Sequence, residues 1–188
     1  MDPSSSRLSP RKQAIRDLAD RTASERDEWI SRSAYYHEED LRYLSFLVPQ
    51  GLRVLVLGGD VGIVLDRLKP SYGVGVSISE AMVELAHSCY PQYEFHAGDI
   101  EDPEIIRKFK GPFDVIVLVD LIGLLEDCET MLASMRHLCG SDTRIVITYW
   151  SHLWEPILKL ASVLGQRMPQ VEENWLSTAD VANLLNLS

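Results

Sequence analysis

The segment Val54-Leu55-Val56-Leu57-Gly58-Gly59-Asp60-Val61-Gly62 constrains this chain more than any other. An apolar run of strand type stops at three glycines spread over five residues, and a helical pattern follows from about Ile63 to Leu68. Strand, glycine turn and helix in this order are how α/β proteins let a backbone approach a nucleotide. The same pattern also serves tight strand-to-helix packing with no ligand, so the loops downstream have to be read before a function is drawn.

Those loops repeat the arrangement. After a helical stretch from Gln13 to Tyr43, in two pieces, and a turn at Val48-Pro49-Gln50-Gly51, strands are predicted at 53–57, 73–76, 93–97, 113–119 and 144–149. Helices alternate with them at 63–68, from Ser79 to about Cys89, at 103–109 and at 128–138. Ser79 has the character of an N-cap, with Glu80 in the first turn. The fourth strand is apolar except for Asp114, as expected for a strand buried on both faces. Two more helices are expected at 153–164 and 177–185. Five strand–helix repeats predict a mostly parallel sheet between two helical layers, a Rossmann-like α/β/α fold.

Composition narrows the function. The formal net charge of −10 argues against a broad nucleic-acid-binding surface, which needs an excess of lysine and arginine. Cys89, Cys128 and Cys139 are far apart and form no CxxC pair, so neither a zinc site nor a disulfide framework is expected, and a cytoplasmic protein with reduced thiols is the simpler reading. No apolar run reaches the roughly 18–20 residues that span a bilayer. Residues 1–11 read as a disordered lead, 12–50 as a helical segment and 51–188 as the catalytic-type domain.

In such sheets ligands bind outside the carboxyl ends of the strands, where the strand order reverses. Four segments fall there: Gly58 to Gly62, Ser77-Ile78-Ser79, Gly98-Asp99-Ile100 and Val119-Asp120-Leu121. A nicotinamide dehydrogenase fits poorly, because the glycines read G-G-x-x-G and no acid stands about twenty residues on, at Ser77. The segments VLVLGGDVG (54–62), GVGVSISEAMVELA (73–86), FHAGDIED (95–102) and FDVIVLVDLIGLLED (113–127) resemble those of the class I S-adenosylmethionine-dependent methyltransferases. The flanks 25–51 and 147–185 are similar to a bacterial group of these enzymes often associated with glycosyltransferases.

The resemblance implies S-adenosylmethionine as cofactor, S-adenosylhomocysteine as product, and a small-molecule or glycan-related methyl acceptor. It implies that Gly58, Gly59 and Gly62 bring backbone up to the methionine part of the cofactor. Ser77 and Ile78 follow the second strand, with Ser77 where the family usually has an acid gripping the ribose hydroxyls. Met82 then packs on the adenine, Asp99 accepts a hydrogen bond from the adenine amino group, Ile100 flanks the ring, and Val119 with Asp120 lines the methyl-donor side. Tyr36, on an N-terminal helix, contacts the cofactor or packs on the sheet. His152 and Asp120 are the candidates for a general base, and Trp150, Trp154 and Trp175 for an apolar acceptor pocket or a piece of core.

Departures from the family pattern are specific. Val56 replaces an acid, Asp60 replaces the middle glycine, and Ser77 replaces the ribose acid. A carboxylate–hydroxyl hydrogen bond is worth about 1.5–3 kcal/mol, so its loss weakens binding by roughly one to two decades. Asp60 either repels the cofactor carboxylate or partners its ammonium or sulfonium. These changes support an alternative, a catalytically impaired methyltransferase-like binding or regulatory module. Family members also continue into a C-terminal hairpin that completes a seven-stranded sheet, and no hairpin is readable here. Two expectations follow for the fifth strand: either the chain is a truncated product, or another copy or a partner chain covers that edge.

Overall fold

The computed structural model describes residues 8–23 and 34–149. Its helices are α1 (Pro10–Thr22), α2 (Ala34–Leu47), α3 (Val61–Leu68), α4 (Glu80–Cys89), α5 (Pro103–Ile106) and α6 (Cys128–Ser134). Its strands are β1 (Arg53–Gly58), β2 (Tyr72–Ser77), β3 (Glu94–Ala97), β4 (Phe113–Val119) and β5 (Cys139–Thr148). The strands form one sheet in the order β3-β2-β1-β4-β5, and every neighbouring pair is parallel. The chain builds outward from β1 to β3 and then returns to β4, so the strand order reverses between β1 and β4.

Alternation of side chains along the central strands creates two cores. Leu55 and Leu57 of β1 join Ile116 and Leu118 of β4 on one face, against Met131, Leu132 and Met135 from α6 and the turn after it. Val54, Val56, Val115 and Val117 point the other way, onto Val61, Val64 and Leu65 of α3 and onto Val83 and Ala86 of α4. Residues 54–57 are fully buried, as strands covered on both faces must be.

The elements start and stop for local reasons. Ser9 caps α1 by accepting from the Lys12 amide, with Pro10 at the first helical position. Lys69, at φ 47°, ends α3 in the left-handed region and returns its amide to the Leu65 carbonyl. Asp102 caps α5 through the Glu104 amide, and Asp127 caps α6 through the Thr130 amide.

Some boundaries differ from those expected. Helix α1 starts at Pro10, inside the stretch read as a lead, because the Ser9 cap and Pro10 nucleate it there. The helix predicted over 103–109 is a single turn, and that over 128–138 finishes as a 3₁₀ turn at Met135–Leu138. Strand β5 starts at Cys139 and not at 144, with a register shift opposite Phe113–Val115 that absorbs the polar Gly140-Ser141-Asp142. The helices expected at 153–164 and 177–185, the tryptophans at 150, 154 and 175, and the covering of β5 lie outside the described residues. Among the described residues no helix is long and apolar enough to cross a membrane, and no cluster of three or more His, Cys, Asp or Glu is arranged to hold a metal ion.

Candidate functional site

Strand register sets the four loops side by side. Ser77 pairs with Ala97, Leu57 with Val76, Gly58 with Val119, and Val119 with Thr148. The Gly98 amide donates to the Ser77 carbonyl at 2.9 Å, closing the β2 and β3 loops together. The loops after β1, β2, β3 and β4 therefore share one edge of the sheet, at the reversal of strand order.

The glycines of the first loop do three different jobs. Gly58 has φ +118°, and a Cβ there would lie 2.4 Å from the Val119 carbonyl oxygen. Only glycine lets β1 leave the sheet so close to β4. Gly59 is exposed, and a Cβ there would meet nothing within 4 Å. Its backbone fronts open space, as a ligand cradle requires. Gly62 lies inside α3, where a Cβ would come within 2.8 Å of the Tyr90 ring and 3.1 Å of Ala86. The missing side chain at Gly62 is thus taken up by contact between α3 and α4. Asp60 stands at the start of α3, half-buried, and its carboxylate does not cap that helix.

Ser77 and Ser79 shape the second loop. Ser77 is 5% exposed, and its Oγ faces the Ser79 amide at 3.4 Å. Ser79 is fully buried and caps α4 by accepting from the Met82 amide at 3.1 Å. Its hydroxyl also donates to Oδ1 of Asp20, and the Ala81 amide reaches the same oxygen at 3.3 Å. Asp20 belongs to α1, fifty-nine residues away from Ser79 in sequence.

Helix α1 also holds the third and fourth loops. Lys12 Nζ lies 2.6 Å from Asp99 Oδ2 and 2.9 Å from Glu101 Oε2. All three side chains are largely buried, at 9–14% exposure. Burial works against the Lys12 charge, but the two carboxylates outweigh it and hold the lysine above its ordinary pKa. Asp99 Oδ1 accepts the Glu101 amide at 3.0 Å, and Glu101 Oε1 accepts the Asp127 amide at 2.6 Å. Arg11 donates to the Gly123 carbonyl at 3.1 Å, and Ser9 to Glu126. Helix α1 therefore ties the loops after β2, β3 and β4 together at the carboxyl edge.

At the end of β4, Asp120 has φ +48°, a conformation aspartate tolerates better than most residues. Its amide donates to the Thr148 carbonyl and to Thr148 Oγ1, both at 3.1 Å, and its Oδ1 accepts from that hydroxyl at 3.3 Å. Thr148 thereby fixes the Asp120 carboxylate beside Val119.

The remaining expected site residues fall as follows. Ile78 and Met82 are half-buried beside the second loop. Ile100 is 6% exposed and belongs to the core that also contains Leu55 and Leu57. Tyr36 is in α2, and its side chain lies outside the described residues, as does His152 altogether. Lys12, Asp20, Glu101, Tyr90 and Thr148 were not singled out by sequence reasoning. Each acts across a long separation, and for Lys12 and Asp20 the local signal was a charged N-terminal segment with helical spacing.

A family model described as a methyltransferase domain matches residues 16–185. The chain belongs to this family. It is a class I methyltransferase, whose methyl donor is S-adenosylmethionine. No curated protein matches its sequence. Solved structures place the fold firmly among these enzymes. One is a S-adenosylmethionine-dependent methyltransferase, possible histamine N-methyltransferase, from Thermotoga maritima. It is 19% identical, with TM-score 0.71, over 92% of this chain and 79% of that one. Another is the geranyl diphosphate C-methyltransferase of Streptomyces coelicolor, crystallised with Mg²⁺, geranyl diphosphate and S-adenosylhomocysteine. It is 9% identical, with TM-score 0.66, over 95% of this chain and 79% of that one. A third is a complex from Haloferax volcanii between the Trm112 methyltransferase activator and a protein named as a putative methyltransferase. It is 16% identical, with TM-score 0.64, over 89% of this chain and 74% of that one.

The residues of this methyltransferase fit the cofactor in two respects. The open backbone at Gly59 leaves room at the reversal of strand order, where a ligand of this fold belongs. The edge also carries Asp60 and Asp120, whose carboxylates suit a cofactor with a sulfonium and an ammonium cation, while Asp99 and Glu101 are already paired with Lys12.

Proposed function

We propose that this methyltransferase transfers the methyl group of S-adenosylmethionine to a small-molecule or glycan-related acceptor. The observation that carries the reading is the convergence of Gly58-Gly59, Ser77, Asp99 and Asp120 on one edge of a family-typical sheet. Two structural neighbours named for small-molecule substrates, one possible histamine and one geranyl diphosphate methyltransferase, support that acceptor class. The flanks similar to glycosyltransferase-associated enzymes support its glycan-related branch.

Gly58, Gly59, Asp60, Ser77, Ile78, Met82, Asp99 and Val119 are the residues proposed to hold the cofactor, with Gly62 keeping the first loop in shape through α3. The bound cofactor supplies an activated methyl group on sulfur, so the chain's own task is to align an acceptor with it. Asp120 stands at the methyl-donor end of the sheet, fixed by Thr148, and is suited to take a proton from a hydroxyl or ammonium acceptor. His152 is the second candidate for that role.

Two measurements test this function. Calorimetric titration with S-adenosylhomocysteine should show one site per chain, and absence of binding at millimolar ligand would overturn the reading. Production of S-adenosylhomocysteine should then be followed against amine, phenolic and sugar-hydroxyl acceptors, with Gly59→Val as the inactive reference.

A further inference from the structure

The second loop lacks the acid that a nucleotide-binding sheet of this kind uses to grip ribose. In doubly wound folds a carboxylate after the second strand accepts a hydrogen bond from a ribose hydroxyl. Here that position is Ser77, a residue 5% exposed whose hydroxyl faces the Ser79 amide. A carboxylate nevertheless reaches the same corner from another element. Asp20 of α1 is bound to Ser79, two residues past Ser77, and to the amide of Ala81. Both bonds fall on Oδ1, which leaves Oδ2 with acceptor capacity.

We propose that Asp20 supplies the ribose-binding carboxylate, delivered by α1 in place of the acid missing from the β2 loop. The inference rests on the methyltransferase reading above.

The rest of α1 is built to hold Asp20 there. Lys12, eight residues earlier, is pinned between Asp99 and Glu101 on the β3 side. Eight residues of helix span about 12 Å, enough to bridge neighbouring strand ends. Asp20 can turn little, since Ser79 and the start of α4 fix one of its oxygens. A carboxylate already ordered in this way binds a hydroxyl without first losing side-chain freedom. The grip moved to α1 also makes the helix part of the cofactor site, so the ordering of α1 and cofactor binding are linked.

The test is ribose discrimination in the full-length chain. Binding of S-adenosylhomocysteine is compared with that of its 2′-deoxy and 3′-deoxy analogues by calorimetry, in wild type, Asp20→Asn and Ser79→Ala. Wild type should favour the parent ligand over at least one deoxy analogue by tenfold or more. Asp20→Asn should weaken the parent by roughly tenfold and cut that preference to about threefold or less. Ser79→Ala removes a partner of Asp20 but keeps the acid, and should retain the preference even if α4 is loosened. Asp20 would be only a helix cap if Asp20→Asn weakened all three ligands by the same factor, and the proposal would then fall. If wild type bound none of the ligands, the methyltransferase reading itself would fail, a different outcome. Thermal melts of each variant separate loss of fold from loss of grip.

Discussion

Replacing Gly58 by alanine should damage the fold, while the same change one residue on should damage only the site. A Cβ at Gly58 would sit 2.4 Å from the Val119 carbonyl oxygen, when real Cβ contacts essentially never fall below 3.0 Å. The β1–β4 pairing would have to open by at least 0.6 Å at its end. Overpacking of that kind costs about 1–3 kcal/mol. The φ of +118° adds about 1–3 kcal/mol for any residue with a side chain. The two together give about 4 kcal/mol, or a fall in melting temperature of roughly 8–16 °C for a domain of this size. Gly59 has neither problem, since its Cβ would enter open space. Gly59→Ala should melt within about 3 °C of wild type and yet bind S-adenosylhomocysteine less tightly. Circular dichroism melts and urea titrations measure the first effect, and calorimetry the second. A cost below about 1 kcal/mol for Gly58→Ala, or unchanged cofactor binding in Gly59→Ala, would contradict these roles of the two glycines.

Other sites give sharper local tests. Ser79→Ala removes the cap of α4 and should destabilise by about 0.5–2 kcal/mol in urea unfolding. Gly62→Ala should cost about 1–3 kcal/mol through collision with Tyr90, and much of that should return in the double variant with Tyr90→Ala. Lys12 has its pKa raised in the folded chain, so its contribution is complete below the unfolded value of about 10.4 and is lost as pH rises through the higher folded value. Stability should therefore fall above about pH 10.4, and Lys12→Met should flatten that fall while lowering stability near neutral pH. At Asp120, in the left-handed region, Asp120→Gly should keep the fold, whereas Asp120→Val should lose about 1–3 kcal/mol.

The sheet was legible because its signals are local. Residues 54–57 and 113–119 are apolar runs that end in turn residues, and Ser79 announces its cap three residues before the amide it accepts. The glycine turn was legible as a turn, although its division of labour was not. Gly62 is set by Tyr90, which is twenty-eight positions further on and carries no mark of that contact in the sequence. Helix α1 was legible only as a charged helix. Its place across the strand ends depends on Lys12 meeting Asp99 and Asp20 meeting Ser79, pairs separated by 87 and 59 residues. Charges at helical spacing on an N-terminal segment fit a solvated face equally well. The start of β5 was hidden because Gly140-Ser141-Asp142 has the composition of a turn, and only pairing with β4 draws it into the strand.

The central claim is that the edge fronted by Gly59 is a working cofactor site in spite of Val56, Asp60 and Ser77. The most direct measurement is calorimetric titration of S-adenosylhomocysteine into the full-length protein and into Gly59→Val, with both shown to be folded by circular dichroism. One site per chain is expected in the wild type, with a loss of at least tenfold in affinity in the variant. A working cofactor site at this edge is contradicted if folded wild type binds nothing at millimolar ligand, or if Gly59→Val binds as tightly as wild type.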